Sequence, residues 1–241
     1  MSRNVLITGA GARVGRYLAK GLAADGWSVV IHYNRSQSGA EALAREITEH
    51  GGTAAIVQGN LFVPQDIDTL VKRAAKALGE PLTALINNAS TFQDDSAQDF
   101  TRASYDHHMD INLRAPVMLS QQLATQLPRG EKGCIINMID QRVLNPEATF
   151  FTYAMSKSAL HWATTTLAQA LAPNIRVNAV GPGPTIKNHS QTDDEFTQEA
   201  ASTLLGIGSP PQSLLEAVQY LLSATSVTGQ MMAVDGGQHL S

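Results

Sequence analysis

One cysteine stands in 241 residues, Cys134, so no disulfide can form within the chain and no thiolate cluster can hold a metal. It lies in an apolar run and is expected to pack in the core. Charge of one sign is also scarce. Against 21 Asp and Glu there are 17 Lys and Arg, a net charge of −4, without the basic footprint that nucleic acid or an anionic bilayer demands. A long apolar run is missing as well: the charge-free stretch 158–175 is broken by Thr, Gln, His, Asn and Pro173, which argues against a membrane span. The first residues lead straight into a strand-like run rather than a signal-peptide apolar region. These absences predict a cytoplasmic protein with no metal site, no nucleic-acid partner and no membrane.

What is present is an ordinary globular composition, 43% hydrophobic and 16% charged, on a chain long enough for one large α/β domain or two small ones. Short apolar runs at 5–8, 29–33, 54–58, 83–87, 133–139, 175–180 and 231–234 read as strands. Between them lie helical patterns: one from the glycine-rich turn to Gly26, then 39–50 and 64–78, a long region 104–126 bent near Pro116, and 153–172 stopped by Pro173. Thr192 and Glu195 fit a capping box for a helix to about Leu205, which makes Asp193, Asp194 and Glu195 a favourable first turn rather than a metal site. A helix over 212–223 precedes the last strand. This alternation predicts a single domain, 1–241: a doubly wound parallel α/β sheet of the Rossmann type, about seven strands, with helices on both faces. In such a sheet ligands bind beyond the carboxyl ends of the strands, so the residues following each strand are the candidates.

After the first strand comes ThrGlyAlaGlyAlaArgValGly, 8–15. Its glycines allow a backbone to approach a pyrophosphate while the helix N-terminus offers free amides, although Val14 occupies the place of the third glycine in the strict fingerprint. Arg13 meets the positive end of the helix dipole, a position favoured by an anionic ligand; the alternative is a side chain splayed into solvent. After the second strand, His32-Tyr33-Asn34-Arg35-Ser36 offers no carboxylate for ribose hydroxyls but a cation and a hydroxyl for a 2′-phosphate, which favours NADP over NAD. After the fourth, Asn87 to Ala89 and Ser90 can line a groove, and Phe92 is either core or a platform for a flat ligand. After the fifth stands Asp140, either a solvated loop residue or a carboxyl that faces the crevice. Tyr153 and Lys157, four residues apart, share one face of a helix, where the ammonium can lower the phenol's pKa for proton donation.

Together these pieces, with Asn112 in IleAsnLeu, ArgValAsnAlaValGlyProGly at 176–183 and ValAspGlyGly at 234–237, resemble the short-chain dehydrogenase/reductase family over essentially the whole chain. The resemblance implies an NADPH-dependent oxidoreductase. In it Tyr153 is the proton donor, Lys157 positions the ribose and lowers the tyrosine pKa, and Asn112 helps hold a relay water. It also implies that Gly9, Arg13, Val14, Tyr33, Asn34, Arg35, Ser36, Asn60, Leu61, Asn88, Ala89, Ser90, Lys157, Pro182 and Gly183 bind cofactor. Two departures narrow it: Arg13 stands where the family commonly has glycine, and Asp140 stands where it has serine, thirteen positions before the tyrosine. Both resemble the pteridine reductase and dihydromonapterin reductase branch, as do 32–36 and 88–92. That implies a dihydropterin or dihydrofolate substrate held by Arg13, Ser90, Phe92, Asp140 and Tyr153 in a homotetramer, with His239 of the tail near a pocket and 185–208 over it. The competing expectations are reduction of a carbonyl, such as a 3-oxoacyl thioester or sugar ketone, and a non-catalytic NADPH sensor. Against the first, a carboxylate at 140 repels the negative charge that develops on a carbonyl oxygen.

Overall fold

The computed structural model describes residues 2–188 and 191–241, so part of the 185–208 segment lies outside the described residues. Seven strands form one sheet: β1 (Asn4–Ile7), β2 (Ser28–Tyr33), β3 (Thr53–Gln58), β4 (Ala84–Asn87), β5 (Gly133–Met138), β6 (Ile175–Pro182) and β7 (Met231–Val234). Their order is β3-β2-β1-β4-β5-β6-β7, and every pairing is parallel. Every residue of β1, β4 and β5 is buried, which is why these strands read as unbroken apolar runs rather than alternating ones.

Helices cover both faces. On one, α1 (Arg13–Ala24), α2 (Gln37–Glu49) and α8 (Pro211–Ser223) bury Leu18, Leu22, Leu43, Leu214 and Val218 against the sheet. On the other, α3 (Pro64–Leu78), α5 (Ala115–Gln126) and α6 (Phe151–Leu171) bury Ile67, Leu70, Leu119 and Leu123. Each such side chain contributes about 1.5–3 kcal/mol on leaving water. The chain runs outward from β1 to β3 and returns through α3 to β4, so the segments leaving β1 and β4 diverge and open a crevice at the strands' carboxyl ends.

Two helical boundaries differ from the sequence reading. The break in 104–126 precedes Pro116: α4 (Arg102–Met109) passes into a π-helical turn at Asp110–Arg114 before α5 begins. Pro116 has no N–H for the carbonyl four residues earlier, that of Asn112, and the ladder widens there. The helix that starts at Thr192 has the predicted capping box, with Glu195 N–H donating to Thr192 Oγ1 at 3.2 Å, but α7 (Asp193–Ala201) stops well before Leu205. Gly206 and Gly208 are left-handed, and Leu205 N–H donates to Gly236 O at 2.9 Å, so the tertiary contact with the β7 exit takes the chain out of the helix.

Candidate active site

The turn after β1 is shaped by close approach. Gly9 has φ +66°, and a Cβ there would meet Ala89 Cα at 3.1 Å; at Gly15 a Cβ would lie 2.5 Å from Gly9 O. Thr8 Oγ1 accepts from the N–H groups of Asn88 and Ala89, both at 2.9 Å, which binds the β1 and β4 exits together. His32 holds the turn from the other side. Gly9 N–H donates to its Nδ1 at 3.0 Å, and its Nε2–H donates to Gly59 O at 3.0 Å. Burial lowers its pKa to about 4, so it works as a neutral ring with one tautomer.

These turns line a cavity of about 360 Å³ that brings together Gly9, Tyr33, Asn34, Arg35, Ser36, Leu61, Ala89 and Ser90. Gly11, His32, Phe62, Thr91, His107 and Ile111 share its wall. Arg35 is exposed and forms no ion pair among the described residues, while Ser36 sits at the N-cap of α2 without using its hydroxyl to cap it. Both polar groups are therefore available to an anion at the cavity's rim. The glycine cradle, the exposed N-terminal end of α1 and this cation fit a dinucleotide carrying a 2′-phosphate.

Several other candidates support the cavity rather than line it. Asn88 Nδ2 donates to Thr8 O at 2.8 Å, Asn60 Oδ1 accepts from Phe62 N–H at 3.1 Å, and Gly183 N–H donates to Val234 O at 3.2 Å just beyond Pro182. Val14 packs into the core. Arg13 has a left-handed backbone, φ 50°, a conformation that costs a non-glycine residue about 1 kcal/mol or more. Its guanidinium donates to Ile186 O at 2.9 Å and Lys187 O at 3.0 Å, tethering the segment after β6 to the start of α1.

Beyond the cavity, α6 and the end of β5 converge. Tyr153 is buried and donates its hydroxyl hydrogen to Asp140 Oδ2 at 2.7 Å; Asp140 Oδ1 accepts from Arg142 N–H at 2.9 Å. Lys157, also buried, donates to Met138 O at 2.9 Å, and its ammonium lies 5.7 Å from the centre of the Tyr153 ring. The expected lowering of the tyrosine pKa is overturned. Burial and the adjacent Asp140 carboxyl hold the phenol well above its ordinary value, because Lys157 turns toward Met138 and the nearest charged group is an acid. Burial raises Asp140 above the usual carboxylate range against the pull of its two hydrogen bonds, and lowers Lys157 to about 8.

Asn112 sits inside the π-turn with every side-chain group engaged: Oδ1 accepts from Thr91 N–H at 2.9 Å and Ser90 Oγ at 3.1 Å, and Nδ2 donates to Thr91 O and Ser156 Oγ, each at 3.1 Å. It braces the loop after β4 against α6. Phe92 on that loop is 41% exposed, so it is not core. One face is stacked on Phe150 with centroids 4.2 Å apart, and Tyr153 meets it edge to face at 4.7 Å. His239 in the tail pairs with Asp235 of its own chain at 2.7 Å, so its ring is committed within the subunit.

Phe62, His107, Phe150 and His108 belong to no motif in the sequence. Phe62 and His107 meet on the cavity wall with centroids 4.4 Å apart and planes tilted by 38°, and Phe150 reaches Phe92 from a left-handed position, φ 53°. Spacing along the chain carries no signal for any of these contacts.

A family model for the short chain dehydrogenases matches residues 3–198. An uncharacterised oxidoreductase of Methylorubrum extorquens is 33% identical, with 96% of each chain covered. The 3-oxoacyl-[acyl-carrier-protein] reductase FabG of Staphylococcus aureus is 28% identical over 100% of this chain and 99% of its own. Among solved structures, the FolM alternative dihydrofolate reductase 1 from Brucella suis, in complex with NADP, superposes with a TM-score of 0.96 at 42% identity, covering 99% of this chain and 95% of that one. With its parallel sheet, glycine cradle and Tyr153–Lys157 helix, the chain belongs to the short-chain dehydrogenase/reductase family.

Proposed function

We propose that this oxidoreductase is an NADPH-dependent pteridine reductase that converts a dihydropterin or dihydrofolate to its tetrahydro form. The observation that carries the reading is the Tyr153–Asp140 hydrogen bond, 2.7 Å, beside the ring of Phe92, which is 41% exposed. A flat heterocycle stacks on such a ring. The similarity to an alternative dihydrofolate reductase with NADP supports it.

When bound, NADPH supplies the hydride that enters the carbon of a C=N bond. The nitrogen needs a proton, and no oxyanion forms, so a carboxyl at position 140 brings no repulsive penalty. Asp140 first takes up a proton from solvent, which burial favours by raising its pKa, and in that acid form it gives the proton to Tyr153 as the phenol releases its own to the substrate nitrogen. Neither group performs this alone: the phenol is too weak an acid, and the carboxyl is the reservoir that makes its release affordable. Arg35 and Ser36 hold the 2′-phosphate, the turn from Gly9 to Arg13 cradles the pyrophosphate, and Lys157, a cation below about pH 8, orients the ribose.

Assembly as a cytoplasmic homotetramer belongs to the same reading. Trp162 on α6 is 71% exposed, and Val117, Met118, Leu167 and Leu171 line an apolar groove between α5 and α6, surface that a second subunit would cover. Sedimentation as a monomer rejects the assembly. The activity is tested by NADPH oxidation with dihydrobiopterin, dihydromonapterin, dihydrofolate and a 3-oxoacyl thioester. Turnover is expected with at least one of the first three; turnover of the thioester alone makes the protein a carbonyl reductase.

A further inference from the structure

A second polar network adjoins Tyr153 and centres on His108 of α4, which is fully buried. Gln93 N–H donates to His108 Nε2 at 3.1 Å. Since Nε2 accepts, the ring proton is on Nδ1, which donates to Thr152 Oγ1 at 2.7 Å. Thr152 passes its own hydroxyl hydrogen to Asp95 Oδ2, and Asp95 Oδ1 accepts from Thr152 N–H at 2.9 Å. One neutral tautomer satisfies the whole chain of bonds, and no other protonation state does. A proton on Nε2 would set two N–H donors against each other.

The bond to Gln93 matters because that N–H belongs to the peptide unit joining Phe92 to Gln93. Pinning it fixes the backbone beside Phe92, an aromatic that burial alone does not hold. Thr152, at the other end, is the neighbour of Tyr153. The His108 ring also meets Tyr153 edge to face at 5.9 Å. We propose that His108 is a positioning residue: it sets the Phe92 loop against the Tyr153 helix, and it does so only as the neutral Nδ1–H ring. The role in turnover rests on the pterin reading insofar as Phe92 is the substrate platform; the tie itself does not.

The groups that face His108 are Asp95 from the loop after β4, Lys157 and Tyr153 from α6, and His107 from its own helix. Burial, with lesser help from His107 and Lys157 and against Asp95, keeps the ring neutral to lower pH than a free histidine.

Substitution by asparagine or glutamine separates the two bonds, since the shorter amide offers a donor near the Nδ1 position and the longer one an acceptor near the Nε2 position. The experiment compares wild type, His108→Asn and His108→Gln by amide hydrogen exchange, NADPH affinity and steady-state kinetics, with the wild-type tautomer read from imidazole nitrogen shifts. Expected in His108→Asn are exchange at the Gln93 amide at least tenfold faster and KM for the dihydropterin raised about fivefold or more, with kcat and the NADPH Kd within twofold. His108→Gln is expected to restore Gln93 protection and most of KM. A wild-type ring protonated on Nε2 at neutral pH, or Gln93 exchange unchanged in His108→Asn, overturns the proposal. If both variants fail to fold, the wild type alone decides: Gln93 protection must fall with decreasing pH at the point where the His108 nitrogens titrate, and protection indifferent to that titration overturns it. The tautomer and exchange arms need no substrate, so failure of every pterin to turn over rejects the pterin reading and leaves the tie to be judged on its own.

Discussion

Tyr153 donates its hydroxyl hydrogen to Asp140 across 2.7 Å, although the two come from different elements, α6 and the exit of β5. In this pair the acid acts on the phenol more strongly than the lysine one helical turn away does. Replacing Asp140 with serine removes the reservoir while keeping a small polar group in place. We expect kcat/KM for the dihydropterin to fall about a hundredfold, the usual scale of a lost acid-base group, with NADPH affinity changed by less than about threefold. Unchanged kcat/KM would sink the assignment.

Lys157 has its pKa lowered to about 8 by burial, so it is a cation below that pH and neutral above it. NADPH affinity should therefore be at its full value near pH 7 and weaken as pH climbs past 8, by up to about tenfold at pH 9. Lys157→Met should bind weakly at every pH. Titration calorimetry at several pH values checks this, and an affinity that strengthens with pH contradicts it.

His32 is buried neutral, with its pKa at about 4 against 6.5 in the unfolded chain. The unfolded state binds the proton first, so the native state loses stability as pH falls from 6.5 to about 4, by about 3 kcal/mol for a difference of 6.5 − 4 = 2.5 units. Wild type should lose about that much more stability than His32→Gln over the same interval in urea titrations. Parallel curves would show that His32 does not set the acid sensitivity of the fold.

Arg35 carries the preference for a phosphorylated cofactor. Arg35→Ala should weaken NADPH binding about ten- to a hundredfold, matching the loss of charge-assisted bonds worth roughly 1.5–3 kcal/mol, while NADH binding stays within about twofold. Equal losses for both cofactors would move the phosphate site elsewhere.

Arg13 ties the segment after β6 to α1 through the carbonyls of Ile186 and Lys187. Arg13→Gly relieves a left-handed backbone, a gain of about 1 kcal/mol, but cuts the tether. Thermal stability should hold or rise slightly while tryptic cleavage after Lys187 accelerates about fivefold or more, since cleavage follows local opening. Cleavage at the wild-type rate would show that the tether does no such work.

Much of the architecture was legible in the residues. The buried parallel strands announced themselves as Val- and Ile-rich runs, Pro64 marked the start of α3, and the Thr192–Glu195 pair marked α7. The end of α7 was not legible, because Gly236 on a distant loop captures Leu205, and local periodicity contains no information about that partner. The bend before α5 was misplaced by a few residues for a related reason: a proline's effect falls on the carbonyl four positions earlier.

The candidate site divides along the same line. Which chemical groups are present, a Tyr and Lys on one helix face, a carboxyl in place of serine, an arginine in place of acid and glycines where backbones must touch, was determined by the sequence itself, since residue type and spacing carry that information. Which group governs which was decided only in three dimensions. Lys157 could have bonded Tyr153, but folding directs it to Met138 O and leaves Asp140 beside the phenol. Phe150, 58 residues beyond Phe92 by number (150 − 92), becomes its stacking partner. Proton affinities and ring orientations depend on distances of a few ångströms and on exclusion of water, and those quantities exist only once the chain has packed.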